Sequence, residues 1–218
     1  KMAAEANCDI VIELIGGSEG IAKATVEAAL GASRHVVTAN KALIAHHGTQ
    51  LALKAEAAGI VLAYEAAVAG GIPIIKALQD SYVSNQIETM SGIINGTSNY
   101  ILERMTTAGL DYKTALQEAQ DLGYAEADPA LDVNGWDAAH KAILLATLAY
   151  GFTILPEQVY VRGIERVRSI DIDFATKLGY TVKLLSVVRE HDDGSVEIRT
   201  QPSFIAQFDS RFLSPCPD

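Results

Sequence analysis

The sequence predicts an α/β segment followed by an α+β segment, and three observations carry that prediction. Short apolar runs alternate with helix-like stretches from residue 10 to residue 65. The alternation stops at a Gly-Gly-Ile-Pro break in EAAVAGGIP. Beyond the break, one long apolar helix pattern and two alternating runs flanking Asp193-Gly194 indicate a mostly antiparallel sheet covered by helices.

In the first segment, Ile10 to Ile15 is a short apolar run ending in Gly16-Gly17, as for a buried parallel strand and its turn. Ser18 is placed to cap a helix from about Glu19 to Leu30. A second strand fits His35 to Thr38, a helix fits Gly48 to Ala58, and IVLAYEA reads as a third strand. This spacing predicts a partial Rossmann-like parallel sheet over residues 1–64. Residues 65–218 then form the second domain. Within it, a short helix follows Ile72-Pro73, and Val83 to Ile94 includes a strand-like stretch. Thr97 or Ser98 is expected to cap a helix to about Thr107, and Asp111 or Thr114 one ending near Leu122-Gly123. Trp136 to Tyr150 reads as a buried helix. A short strand near Val159 to Val161, a helix near Asp171 to Leu178 and a hairpin of TVKLLSVV with SVEIRTQ complete the reading.

Apolar residues make up 49% of the 218 residues and charged residues 20%, so a sizeable core is available. A net charge of -10 with no basic run argues against nucleic acid or an anionic membrane as partner. Cys8 and Cys216 lie near opposite ends, which suits neither a disulfide framework nor zinc, and both read as structural. No secretory signal or membrane-length segment is evident, which places the chain in the cytoplasm. The Asn95-Gly96-Thr97 sequon is without meaning in that compartment.

Four stretches are candidates for chemistry. In VVTANK, Lys41 lies just past a strand's carboxyl end beside Thr38 and Asn40, where open parallel sheets bind ligands. A solvated lysine at a helix start is the plain alternative, although a cation there opposes the helix dipole. Gly16-Gly17 allows close backbone approach by a ligand, or simply makes a tight turn. EAAVAGGIP is either an interdomain hinge, which its composition favours, or a source of carbonyls and the Glu65 carboxylate for a cation.

The last candidate is DLGYAEADPALDVNGWDAAHK, which gathers Asp121, Glu126, Asp128, Asp132 and Asp137 before Lys141. A calcium loop fails here: Gly135 falls at the fourth place rather than the sixth, and Ile143 stands where a bidentate Glu belongs. Asp137 and Lys141 are one helical turn apart. Exposed, the pair is worth only about 0.3–0.5 kcal/mol; in a cleft it is a lysine held in place by an acid.

VVTANK, EAAVAGGIPII, SGIINGTSNYIL and LGYAEADPALDVNGWDAAHKAILLA, in that order and spacing, resemble the homoserine dehydrogenase family from about Cys8 to about Phe204. The resemblance implies an NADH- or NADPH-dependent interconversion of L-aspartate-4-semialdehyde and L-homoserine, on the route to threonine, methionine and isoleucine. By the same resemblance, Lys41 and Lys141 are the catalytic lysines. Glu126 and Asp137 bind the substrate's amino end, and Asp132 supports the lysine. Gly17, Thr38, Lys41 and Gly123 lie at the nicotinamide end of the cofactor. Glu65 with the carbonyls of Val68, Gly70 and Ile72 matches a monovalent-cation (sodium) site. The resemblance also implies a homodimer formed through the antiparallel sheet.

The chain departs from the family in two places. It has no GxGxxG turn before the first strand, and the tail FDSRFLSPCPD no longer follows the pattern. A fragment with weak cofactor binding and poor turnover is therefore expected, and a non-catalytic homodimeric remnant is the rival reading. A semialdehyde dehydrogenase working through a thiol fits poorly, because neither cysteine follows a strand-to-helix turn suited to a nucleophile.

Overall fold

The computed structural model describes residues 2–209; Cys216 lies outside them. The chain divides into two compact units. One comprises the residues up to Ile87 with Ile143–Gln158, the other Glu88–Ala142 with the residues from Val159 on.

The first unit opens with a short helix α1 (Met2–Glu5), followed by β1 (Ile10–Glu13), α2 (Ile21–Gly31), β2 (His35–Thr38), α3 (Lys41–Ala57) and β3 (Leu62–Ala63). The three strands form a parallel sheet in the order β1-β2-β3. Helix α2 buries Ala22, Val26, Ala29 and Leu30, a spacing that puts all four on one helical face. It begins two residues later than the Ser18 cap implies. Gly20, at φ 68, precedes its first turn with no side-chain cap, while Glu19 is engaged with Lys23 and His47. Helix α3 begins seven residues earlier than expected, because the Asn40 side chain accepts from the Leu43 N–H and so caps it. The unit continues through a 3-10 turn at Glu65–Ala67 into α4 (Ile74–Lys76) and a π turn at Ala77–Ser81.

The second unit contains β4 (Thr89–Gly92), α5 (Gly96–Thr107), α6 (Tyr112–Asp121) and α7 (Ala130–Val133). Helix α8 (Trp136–Tyr150) starts here, and its last residues belong to the first unit. Then follow β5 (Tyr160–Val161), α9 (Ser169–Lys177), β6 (Tyr180–Glu190) and β7 (Val196–Ala206). The sheet order is β4-β6-β7-β5. β4 and β7 run antiparallel to β6, and only β5 pairs in parallel. The expected hairpin is present and longer than its two apolar runs, with Gly194 at φ 79 in its turn and Asp193 accepting from Ser195. Asp111 caps α6 as anticipated. Helix α5, however, is capped by Asn95, upstream of Thr97 and Ser98.

The core of this unit joins Ile101, Leu102 and Met105 of α5 to Ala115 and Ala119 of α6, and to Val182 and Leu184 of β6. Lys183 of β6 is buried, and its ammonium donates to Asn99 Oδ1 and Glu103 Oε2, each at 2.9 Å. That contact fastens α5 to the sheet. Close approach fastens the α7–α8 turn: the Ile164 N–H donates to the Val133 carbonyl at 2.8 Å, and a Cβ on Gly163 would overlap the backbone of Val133 and Asn134. No helix among the described residues is long and apolar enough to cross a membrane.

Two expectations follow from this packing. Gly163→Ala should lower stability by about 3 kcal/mol, read from the denaturant midpoint, because the obstacle is backbone that cannot rotate away. Glu118, on α6, accepts from Tyr100 at 2.6 Å and Arg104 at 2.7 Å, and these bonds hold its carboxyl below the usual glutamate range. A depressed folded-state pKa adds stability above the unfolded value and loses it as pH falls through the folded value. The melting-temperature gap between wild type and Glu118→Gln should therefore be present at neutral pH and close on the acid side of the ordinary glutamate range.

Candidate active site

Polar side chains out of water must find partners, and each unit holds a network of them around the predicted site residues. In the first unit, Glu13 and Thr38 are register partners on adjacent strands and project from the same face. Both are buried, Glu13 at 1% exposure. Thr38 Oγ1 donates to Glu13 Oε2 at 2.6 Å, and the N–H groups of Ile15 and Gly16 donate to Oε1 at 2.7 and 3.2 Å. Asn40 donates through Nδ2 to the Gly17 carbonyl at 2.8 Å. The turn after β1 is thus tied to the turn after β2. Gly16 and Gly17 have φ of 86 and 83, and no atom lies within 4 Å of a Cβ placed on either, so this turn is open to close approach. Lys41 is the first residue of α3 and half-buried.

In the second unit the acidic stretch separates into distinct groups. Lys141 Nζ donates to Asp137 Oδ2 at 2.6 Å and to the Ile94 carbonyl at 2.8 Å. The Asp137 side chain is 7% exposed and that of Lys141 18%, so this is not the exposed helix pair of marginal value. Asn95 Nδ2 donates to Asp137 Oδ2 at 2.8 Å and to Asp132 Oδ1 at 2.7 Å. Asp132 therefore meets the lysine only by way of Asn95. Ser98 Oγ donates to the Asp132 carbonyl at 2.8 Å, which ties α7 to α5. Glu126 and Gly123 are exposed on the connection after α6, with Gly123 at φ 79. Thr97 Oγ1 holds this connection through the Tyr124 carbonyl at 2.8 Å, and Tyr124 stacks on Tyr100. Asp121 accepts from Gln117, and Asp128 from the Ala130 N–H, as surface and turn residues do.

In EAAVAGGIP, Glu65 accepts the N–H groups of Ile75 and Lys76, both at 2.9 Å. Val68 is buried, whereas Gly70 and Ile72 are exposed. Ala69 and Gly70 both have positive φ, 57 and 56, so the chain turns sharply between these carbonyls. Among the described residues, no three His, Cys, Asp or Glu side chains cluster as for a metal ion.

Three residues central to these networks were not singled out as site residues in the sequence: Glu13, Asn40 and Asn95. A lone carboxylate inside an apolar run was the available signal for Glu13. For both asparagines it was their place just before a helix. Replacing Glu13 with Ala orphans the Thr38 hydroxyl and two backbone N–H groups at once, and should lower stability by about 3 kcal/mol in equilibrium denaturation.

Comparison with known proteins gives this geometry a setting. A family profile described as "Homoserine dehydrogenase" matches residues 73–212, and one described as "Homoserine dehydrogenase, NAD binding domain" matches residues 1–65. The homoserine dehydrogenase of Pseudomonas aeruginosa is 47% identical over 204 residues, covering 94% of this chain and 46% of that protein. That of Neisseria gonorrhoeae is 45% identical over 214 residues, covering 98% and 48%. The crystal structure of a homoserine dehydrogenase from Thiobacillus denitrificans superposes with a TM-score of 0.90 at 46% identity, over 93% of this chain and 47% of that one. The chain thus spans about half the length of the curated relatives it matches. On this evidence it belongs to the homoserine dehydrogenase family.

Proposed function

We propose that the chain carries the catalytic and substrate-binding part of an NAD(P)-dependent homoserine dehydrogenase. The reaction interconverts L-aspartate-4-semialdehyde and L-homoserine, in the cytoplasm, toward threonine, methionine and isoleucine. The observation that carries the proposal is the Lys141 ammonium, aimed by Asp137 and the Ile94 carbonyl within a network of buried polar groups. A family relative of hyperthermophilic archaeal origin, 27% identical with a TM-score of 0.81, was solved in complex with NADPH, which supports a nicotinamide cofactor.

The division of labour is the one the family resemblance implies, and the chemistry of the groups is consistent with it. The nicotinamide, when bound, supplies the hydride. Reduction of the aldehyde leaves an alkoxide, and Lys141 stabilises that charge and gives it a proton, ending as a neutral amine. Lys41 is the second catalytic lysine. The carboxylates of Glu126 and Asp137 attract the substrate ammonium, and Asp132 supports Lys141 through Asn95. Gly17, Thr38 and Gly123 serve the nicotinamide end; the open turn at Gly16-Gly17 and its anchoring to β2 suit that use. Residues 1–64 belong to cofactor binding and 65–218 to substrate binding and dimerisation. Glu65 and the carbonyls of Val68, Gly70 and Ile72 are hard oxygen donors that suit a sodium ion, which would brace the turn at Ala69-Gly70. The homodimer forms through the β4-β6-β7-β5 sheet.

The test is Lys141→Ala in a full-length enzyme carrying these residues. Turnover with the semialdehyde should fall by about a hundredfold or more, with NADPH affinity unchanged by fluorescence titration. Near-normal turnover would rule the assignment out.

A further inference from the structure

We propose that Asn95 is a positioning residue that sets the direction of the Lys141 proton, an inference that rests on the function proposed above. Asn95 is 4% exposed and uses its whole amide. Its Oδ1 accepts the Ser98 N–H at 2.7 Å, and its Nδ2 donates to Asp132 Oδ1 at 2.7 Å and Asp137 Oδ2 at 2.8 Å. Only one amide orientation satisfies this set. The flipped amide would set its oxygen against two carboxylates and its NH2 against an N–H.

Asn95 and its neighbour Ile94 act on the two members of one ion pair. The Ile94 carbonyl accepts from Lys141 Nζ at 2.8 Å, and the Asn95 side chain holds the same Asp137 oxygen that receives Lys141 at 2.6 Å. An ammonium has three N–H bonds in a fixed tetrahedral arrangement. Two of those on Lys141 are committed, so the direction of the third is determined by where Ile94 and Asp137 stand. Helix α5 in turn is fastened to β6 by Lys183 through Asn99 and Glu103, one and two turns beyond Asn95. The N–H bond that breaks when Lys141 protonates the alkoxide is therefore oriented by a residue that need not touch the substrate.

Asn95 has a second, separable task as the cap of α5. Serine caps a helix about as well as asparagine but offers no amide donors to the two aspartates. In a full-length enzyme, Asn95→Ser should lower the melting temperature by a few degrees, because Asp132 and Asp137 lose their amide donor, and keep the KM for NADPH within about twofold. Its kcat for semialdehyde reduction should fall by about tenfold or more. Asn95→Asp, which also keeps a capping oxygen, should lose at least as much kcat and more melting temperature, because its carboxylate faces those of Asp132 and Asp137. Wild-type kcat in Asn95→Ser would overturn the inference. So would an equal kcat loss in Asp111→Ala, which removes the cap of α6, at a matched drop in melting temperature, since Asn95 would then act through stability alone. A parent enzyme unable to reduce the semialdehyde would overturn the functional reading itself, and this inference with it.

Discussion

A carboxylate moved out of water needs donors, and the way Asp137 obtains them organises the second unit. Helix α8 buries Ala138, Ala139, Ala142, Ile143 and Leu144, so the residues beside them leave solvent too. Asp137 then requires Lys141 on its own helix and Asn95 from the start of α5. Stability does not explain the arrangement. Desolvating both charges offsets most of their attraction, and a well-packed apolar pair of similar volume is often as stable. What the ion pair supplies, and an apolar pair does not, is a fixed ammonium. The turn between α7 and α8 has to be held for the same reason. Gly163 and the Ile164 N–H do this by bringing backbone against backbone at Val133 and Asn134.

The α/β and α+β segments were legible where periodicity reports burial, but β1, which reads as a buried strand, leaves Ile10 and Ile12 exposed and buries Glu13 instead. The alternating runs flanking Asp193-Gly194 became β6 and β7, and Trp136 to Tyr150 became α8 over the anticipated span. Helix starts were less legible. The stretch Asn95-Gly96-Thr97-Ser98 contains three competent caps, and tertiary position decides among them: Asn95 alone also has aspartates within reach of its amide. At α3, the local pattern puts the start near Gly48, although Asn40 supplies the cap eight residues earlier. Within the site, the Asp137–Lys141 pair follows from helical spacing alone. The bridge from Asn95 to Asp132 and Asp137 spans 37 and 42 residues, and no local pattern encodes it. Glu13 was hidden for a related reason. Nothing in IVIELIGG distinguishes a carboxylate facing water from one that accepts Thr38 and two backbone N–H groups in the interior.

The choice of asparagine at both helix starts has a common physical cause. Aspartate, serine and asparagine cap helices about equally well, so capping alone does not select among them. Only asparagine combines a capping oxygen with two N–H donors on the same planar group. Asn40 caps α3 through the Leu43 N–H while its Nδ2 reaches the Gly17 carbonyl, with Glu13 Oε1 at 3.5 Å. Asn95 caps α5 through the Ser98 N–H while its Nδ2 serves two carboxylates. Each helix N-terminus, fixed by one end of an amide, thereby fixes a neighbouring polar group through the other end. An aspartate at either place would keep the helix, but it would turn a donor toward Glu13 or Asp137 into a third repelling oxygen. The capping position is thus where helix geometry is converted into the orientation of the groups that do the chemistry.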